Sequence, residues 1–218
     1  MPDLTRWTGR TAALLCGVIT AASPAAADSG DSQVSYSIFK EGEPIGHERY
    51  RFQRDGEQVN VELTVESAVH ILFLDFHYRH QRRESWSGDQ LEQLVADTDD
   101  DGSRHHVEAN GDGHGGLSVQ SDGKTLMLGP DAFPLSMWRR AVLGHATLFA
   151  VESDDAPYHV TVKDLGSDAV TIGGSSIACQ HYALTGDVDR DLWYDADGML
   201  AKVAFRRRGF AISIVRDP

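Results

Sequence analysis

Between Val34 and Val215 apolar and polar residues exchange places every second position in run after run, and short turn-forming clusters separate the runs. A period of two sends alternate side chains to opposite faces of a β-strand. Val59, Val61, Leu63 and Val65 alternate with Asn60, Glu62, Thr64 and Glu66, as expected for an antiparallel strand with one dry and one wet face. Glu41-Gly42-Glu43-Pro44, Asp55-Gly56, Gly173-Gly174, Asp197-Gly198 and Arg208-Gly209 are turn signals between such runs. Strands are predicted over residues 34–38, 45–53, 59–69, 69–86, 104–109, 117–120 and 125–128, and then over 148–151, 158–162, 169–172, 177–184, 191–194, 200–206 and 210–215. The stretch 91–96 suits either a short strand or a helical turn. One helix is predicted, starting near Pro134, with Leu135, Trp138 and Val142 at helical spacing and an end about Gly144. The fold class that follows is mainly β: a strongly curved antiparallel sheet or incomplete β-barrel of about a dozen strands packed on one helix.

The stretch from Val69 to Trp86 departs from the pattern of a simple core strand. Read as one strand, it lines up Leu72, Leu74, Phe76, Tyr78, His80, Arg82, Glu84 and Trp86 on a single face. One half of that line is apolar and the other is charged and closed by an aromatic ring. Buried charges must pair or reach water. Arg82 and Glu84 are therefore either a satisfied ion pair at the end of the sheet, the plainer reading, or the polar anchor of a greasy groove. In the second case Leu72, Leu74, Phe76 and Tyr78 line a hollow together with Trp138, while His80, Arg82, Glu84 and Trp86 form its polar end.

The first 27 residues read as a cleavable export signal. Arg6 and Arg10 precede a short apolar run from Thr11 to Ala22, and Ala25-Ala26-Ala27 supplies small residues for cleavage. The run is shorter than the roughly 20 residues of a membrane span. The expectation is a single β-rich domain over residues 28–218, located in the periplasm or secreted, with no transmembrane span in the mature chain. The formal charge is −13 over the whole chain, and becomes −14 once Asp3, Arg6 and Arg10 leave with the signal. Such acidity disfavours nucleic acid and anionic headgroup surfaces as partners. Cys16 is lost with the signal, so Cys179 has no disulfide partner and reads as a small buried hydrophobe.

Two patterns suggest chemistry. Asp97, Asp99, Asp101, Gly102 and Glu108 occupy positions 1, 3, 5, 6 and 12 of a calcium-loop template. A glycine-rich turn follows Glu108 where a helix belongs, so an acidic hairpin tip competes with that reading. Asp187, Asp189, Asp191 and Asp195 surround Trp193 and Tyr194, a composition that suits a glycan hydrolase if two carboxyl groups face each other. The histidine spacings give no zinc pattern. Nucleophile-elbow, zinc-helix, phosphate-loop and dinucleotide signatures are missing from the chain. No cofactor is expected.

Several motifs also resemble a known family. Glu41-Gly42 with Ile45-Gly46, Glu84-Ser85-Trp86, Thr98-Asp99-Asp100-Asp101-Gly102, and Asp191-Leu192-Trp193-Tyr194-Asp195 with Gly198 are similar to a family of uncharacterised exported bacterial proteins built on a domain of unknown function. The resemblance spans almost the whole mature chain and implies no catalytic residue. More distantly, a curved sheet around one helix is similar to the carriers and receptors of outer-membrane lipoproteins, which hold acyl chains in their hollow. That likeness is one of architecture. The reading that emerges is a non-enzymatic protein whose concave sheet binds an apolar or amphipathic, lipid-like ligand. An envelope interaction module with a filled core and a glycan hydrolase using the 187–195 region are the alternatives.

Overall fold

The structure is a computed structural model that describes residues 30–71, 74–153 and 157–218. The strands are β1 (Gly30–Lys40), β2 (Glu43–Asp55), β3 (Gln58–Ile71), β4 (Leu74–Ser87), β5 (Gln90–Asp100), β6 (Ser103–Gly111), β7 (Leu117–Ser121) and β8 (Lys124–Leu128). They continue as β9 (Ala132–Pro134), β10 (Thr147–Phe149), β11 (Tyr158–Ile172), β12 (Ser175–Gly186), β13 (Arg190–Asp195), β14 (Leu200–Arg207) and β15 (Phe210–Arg216). All belong to one sheet in the order β8-β7-β6-β5-β4-β3-β2-β1-β15-β14-β13-β12-β11-β10-β9. Two runs of hairpins are thus joined where β1 pairs with β15, Tyr36 opposite Arg216. Among the described strands only β9 and β10 run parallel.

The sheet curls into a nearly closed barrel. Asp100 at the end of β5 reaches Arg207 at the end of β14 at 3.0 Å, although β4, β3, β2, β1 and β15 lie between them in the sheet. The inward face carries the main core, including Tyr36, Tyr50, Val61, Leu94, Leu192 and Tyr194. A smaller cluster of Val170, Ile172, Cys179, Trp193 and Ala201 lies on the other face of the sheet. There β11, bulged between Asp164 and Gly166, touches β14 without being its neighbour in the sheet.

Three expectations need correction. The helix after Pro134 does not form; Pro134 ends β9, and only one 3-10 turn, Arg140–Gly144, follows. The reason is side-chain placement: Ser136 and Trp138 both bond to Glu84. Residues two apart share a direction in extended backbone, whereas a helix turns them to different sides. The segment still enters the barrel, with Ser136 and Val142 fully buried. Next, the stretch from Val69 to Trp86 is not one strand. Val69 lies within β3 and pairs with Phe76 of β4, and the two strands stay paired out to Ile71 and Leu74. Finally, residues 158–162 and 169–172 belong to the single strand β11, while 91–96 resolves as part of β5. Among the described residues no helix is long and apolar enough to cross a membrane.

Candidate functional site

Strand β4 runs through the barrel from its filled end to an open cavity. Asp75, His77, Arg79, Gln81 and Arg83 are exposed, while Phe76, Tyr78, His80, Arg82, Glu84 and Trp86 turn inward. The alternation expected from sequence therefore holds from Phe76 to Trp86. Leu72 lies outside the described residues, as does the side chain of Leu74.

At the filled end Trp86 is fully buried. It packs against Phe133 and Trp138, with ring centroids 5.2 and 6.4 Å away. Both indoles aim at Glu84: the Nε1–H groups of Trp86 and Trp138 donate to its Oε2 at 2.7 and 2.9 Å. The Ser136 hydroxyl donates to Glu84 Oε1 at 2.6 Å and accepts from Arg82 Nη2 at 3.0 Å. Arg82 Nε stands 2.7 Å from Glu84 Oε1, as a charge contact not aligned for a hydrogen bond. Burial works against the Arg82 charge, but Glu84 first, and then Tyr50, Glu152 and Glu48, outweigh burial and hold the guanidinium pKa above its ordinary value. Glu84 thus receives three hydrogen bonds and an opposite charge, the condition under which a carboxylate can remain buried. Removing one partner of such a pair typically costs about 3–5 kcal/mol. The Arg82–Glu84 pair and its two tryptophans close the barrel interior as a structural unit.

One layer further along β4, His80 is completely buried, with Nδ1 2.9 Å from Thr98 Oγ1. Its Nε2 has no hydrogen-bond partner among the described residues. Burial pushes its pKa down to about 4, so the ring is neutral near pH 7.

Beyond Arg82 the interior is hollow. A cavity of about 220 Å³ is walled largely by apolar side chains, among them Ile38, Leu63, Val65, Phe76, Phe205 and Ile214. Glu48, Tyr50 and Arg82 lie at its deep end, each almost wholly buried. Burial, reinforced by nearby Glu152, pushes the Glu48 pKa up to about 7. The opposite end is the rim formed by the ends of β1, β5 and β14 and the start of β15. Here Lys40, Asp100, Arg207, Arg208 and Phe210 border the cavity. Asp100 Oδ2 accepts from Arg207 Nη2 and Arg208 Nη2, both at 3.0 Å, across the width of the barrel. The Arg207 guanidinium also lies over the Tyr78 ring at 4.8 Å.

Of the residues singled out by sequence, the structure brings Phe76, Tyr78 and Arg82 to this cavity. Glu84, Trp86 and Trp138 sit in the sealed layer beneath it. Sequence reasoning missed Glu48, Asp100, Glu152 and the Lys40, Arg207 and Arg208 rim. Glu48 was legible in principle: it shares a strand face with Tyr50 and Phe52, the same mismatch of charge and apolar neighbours that marked Arg82. Glu152 lies in a loop and carried no such signal.

The other candidates resolve into local structure. Asp97 pairs with His106 at 2.8 Å, Asp99 caps the Gly102 N–H at 2.7 Å, and Glu108 accepts from Asn110 at 3.1 Å. Asp101, at φ 57°, and Gly102, at φ 89°, make the hairpin turn between β5 and β6. The acidic tip is a strand connection, not the helix-flanked loop of the calcium template. Among the described residues no group of three or more His, Cys, Asp or Glu could hold a metal ion. In the 187–195 region the acids serve separate partners. Asp187 accepts from the His159 N–H, Asp189 from the Gly186 N–H, Asp191 contacts His181, and Asp195 accepts from Arg216. Cys179 is buried, and burial, with Asp195 nearby, raises its thiol pKa.

Comparison with known proteins agrees with this architecture. Residues 36–217 match the family described as "Domain of unknown function (DUF6134)". The fold is similar to a solved structure titled "Crystal Structure of Beta-barrel-like Protein of Domain of Unknown Function DUF1849 from Brucella abortus". The TM-score is 0.59 at 14% sequence identity, and the match covers 85% of this chain and 94% of that one. At that identity the likeness is one of fold. No curated protein matches the sequence.

Proposed function

Since the chain belongs to the DUF6134 family of unknown function, its role must be argued from its own interior, and we propose that it is a non-enzymatic protein that binds an apolar or amphipathic, lipid-like ligand inside the barrel. The observation that carries this reading is the contrast within one strand face. Below Arg82 the interior is filled by Trp86, Phe133 and Trp138; above it the same face borders a largely apolar hollow that opens at one rim. Concave apolar sites with a few polar groups at fixed points are the usual form of small-ligand sites. The leader-like first 27 residues support action outside the cytoplasm, in the periplasm or after secretion.

Native mass spectrometry on protein purified without detergent, with organic extraction of the same sample, tests this. The expected result is a mature mass beginning at Asp28 plus a reproducible increment that extracts as lipid. Filling the hollow from its less buried wall with Ser67→Trp should abolish the increment while the circular dichroism spectrum stays unchanged. An increment retained by that variant, or a bare mass from the start, would defeat the proposal. Met127, 76% exposed on the edge strand β8 beside Leu126, supports the second reading, a protein-interaction module, to which a bare mass would shift the weight.

A further inference from the structure

We infer that the ligand of this cavity carries an anionic head group, a carboxylate or a phosphate, held at the barrel mouth by Lys40, Arg207 and Arg208 while its apolar part points inward. The inference rests on the cavity reading above and adds the chemical class and orientation of the ligand.

The charge distribution is the first argument. The chain carries a formal net charge of −13, yet three cations border this one opening. Among the described residues Lys40 forms no ion pair. Its ammonium lies 4.3 Å from the centre of the Phe210 ring, and Phe210 is itself 38% exposed. A strongly hydrated ammonium parked on an exposed aromatic at the lip of an apolar hollow is available to an incoming anion.

The second argument concerns the arginines. Arg207 and Arg208 share a single oxygen of Asp100. Each guanidinium has five N–H donors, so the shared contact leaves most of their donor capacity unused. Glu152 approaches Arg207 at 3.5 Å, and its side chain is 45% exposed. Planar guanidinium forks fit carboxylate and phosphate oxygens two at a time. The Asp100 bridge holds both forks in place across the mouth from a strand on the far side of the barrel. A bound anion would share them with Asp100 or displace it.

The third argument sets the orientation. The deep end of the cavity holds Glu48, while its one arginine, Arg82, is already engaged by Glu84 and Ser136. An anionic head placed there would meet carboxyl groups without a free cation, whereas at the rim it meets Lys40 and Arg208 beside water. The walls between are apolar and suit a hydrocarbon chain.

The test uses mature protein stripped of endogenous lipid and four single-chain amphiphiles of equal chain length: a carboxylate, an alkyl phosphate, a methyl ester and a quaternary ammonium. Affinities are measured by isothermal titration at low and high salt. Both anions are expected to bind about tenfold or more tighter than the ester, with the ammonium weakest, and high salt should shrink the gap. The carboxylate and phosphate arms tell the two head groups apart. Lys40→Ala with Arg208→Ala should bring the anions down to the ester, and Asp100→Asn, which frees Arg208 and leaves Arg207 with Glu152 alone, should strengthen the anions severalfold. An ester that binds as tightly as the anions, or a preference that survives the double variant, overturns the inference and leaves the cavity reading standing. Binding of none of the four overturns both. Lys40 and Arg208 are rim residues, and melting curves verify that the variants fold.

Discussion

Glu48 and His80 are buried in one row of the barrel, on either side of Val65 in the strand register, and titrate in opposite senses. Burial, then Glu152, lifts the Glu48 pKa from 4.5 to about 7. The folded state therefore holds this proton more tightly than the unfolded chain. The resulting stabilisation is complete below pH 4.5 and is lost as pH rises through 7, a change of about 3 kcal/mol. For His80 burial lowers the pKa from 6.5 to about 4, so its contribution is complete above pH 6.5 and is lost as pH falls through 4. In the window between 4.5 and 6.5 the two largely offset each other. Thermal denaturation across this range should separate them. Glu48→Gln is expected to uncover the His80 slope, a melting temperature that rises between pH 4.5 and 6.5, and His80→Asn to uncover the Glu48 slope, one that falls over the same window. A Glu48→Gln protein whose melting temperature stayed flat across that window would assign the offset to another group. Both residues were readable as polar positions on an apolar strand face, but the sizes of their shifts depend on neighbours from other strands and from the loop at Glu152.

At the scale of the elements, β2 and β3 meet at an unusually tight point. Gly46 lies opposite Ser67, and a Cβ at position 46 would fall 2.1 Å from the Glu66 carbonyl oxygen and 2.6 Å from the Ser67 Cα. Both obstacles are backbone or close to it, so neither can swing aside. Gly46→Ala is expected to push the strands apart at the cavity wall and to destabilise the protein by about 1–3 kcal/mol. A urea midpoint lowered accordingly, at unchanged slope, is the signature to look for; an unshifted midpoint would show that the pair spreads without cost. The Ile45-Gly46 pair stood out in the sequence as a motif, but its reason did not, because the contact is made by a neighbouring strand. The segment after Pro134 shows the converse. Its local spacing favoured a helix, and the shared demand of Ser136 and Trp138 for one buried carboxylate drew it into extended backbone instead.

For the whole molecule, the described strands, antiparallel except for β9 beside β10, leave two free edges, β8 and β9. β8 is exposed along most of its length, with Met127 and Leu126 facing solvent, whereas Ala132, Phe133 and Pro134 of β9 are buried. Amide hydrogen exchange should therefore be fastest, among the strands, in β8, and slowest in β2 to β5, whose buried residues Val61, Leu63 and Leu94 lie deep in the core. Equal protection in β8 and β4 would mean that the edge is covered in solution, which would favour the interaction-module reading.

Alternation by twos, turn dipeptides and a polar interruption on β4 were local properties, and they determined most of the strands, though not β9 or the unity of β11, and the inward direction of Phe76 to Trp86. The mainly β class and the curved sheet followed, because side-chain period and turn chemistry act within a few residues of chain. Tertiary structure alone decided where the interior is filled and where it is hollow. It turned Arg82 and Glu84 into a sealed pair by supplying Ser136 and Trp138 from fifty-odd residues away. It also brought Asp100, Arg207 and Arg208 together over the mouth from opposite sides of the barrel. Closure of the sheet makes neighbours of residues that no local pattern relates, and a cavity is a property of that closure.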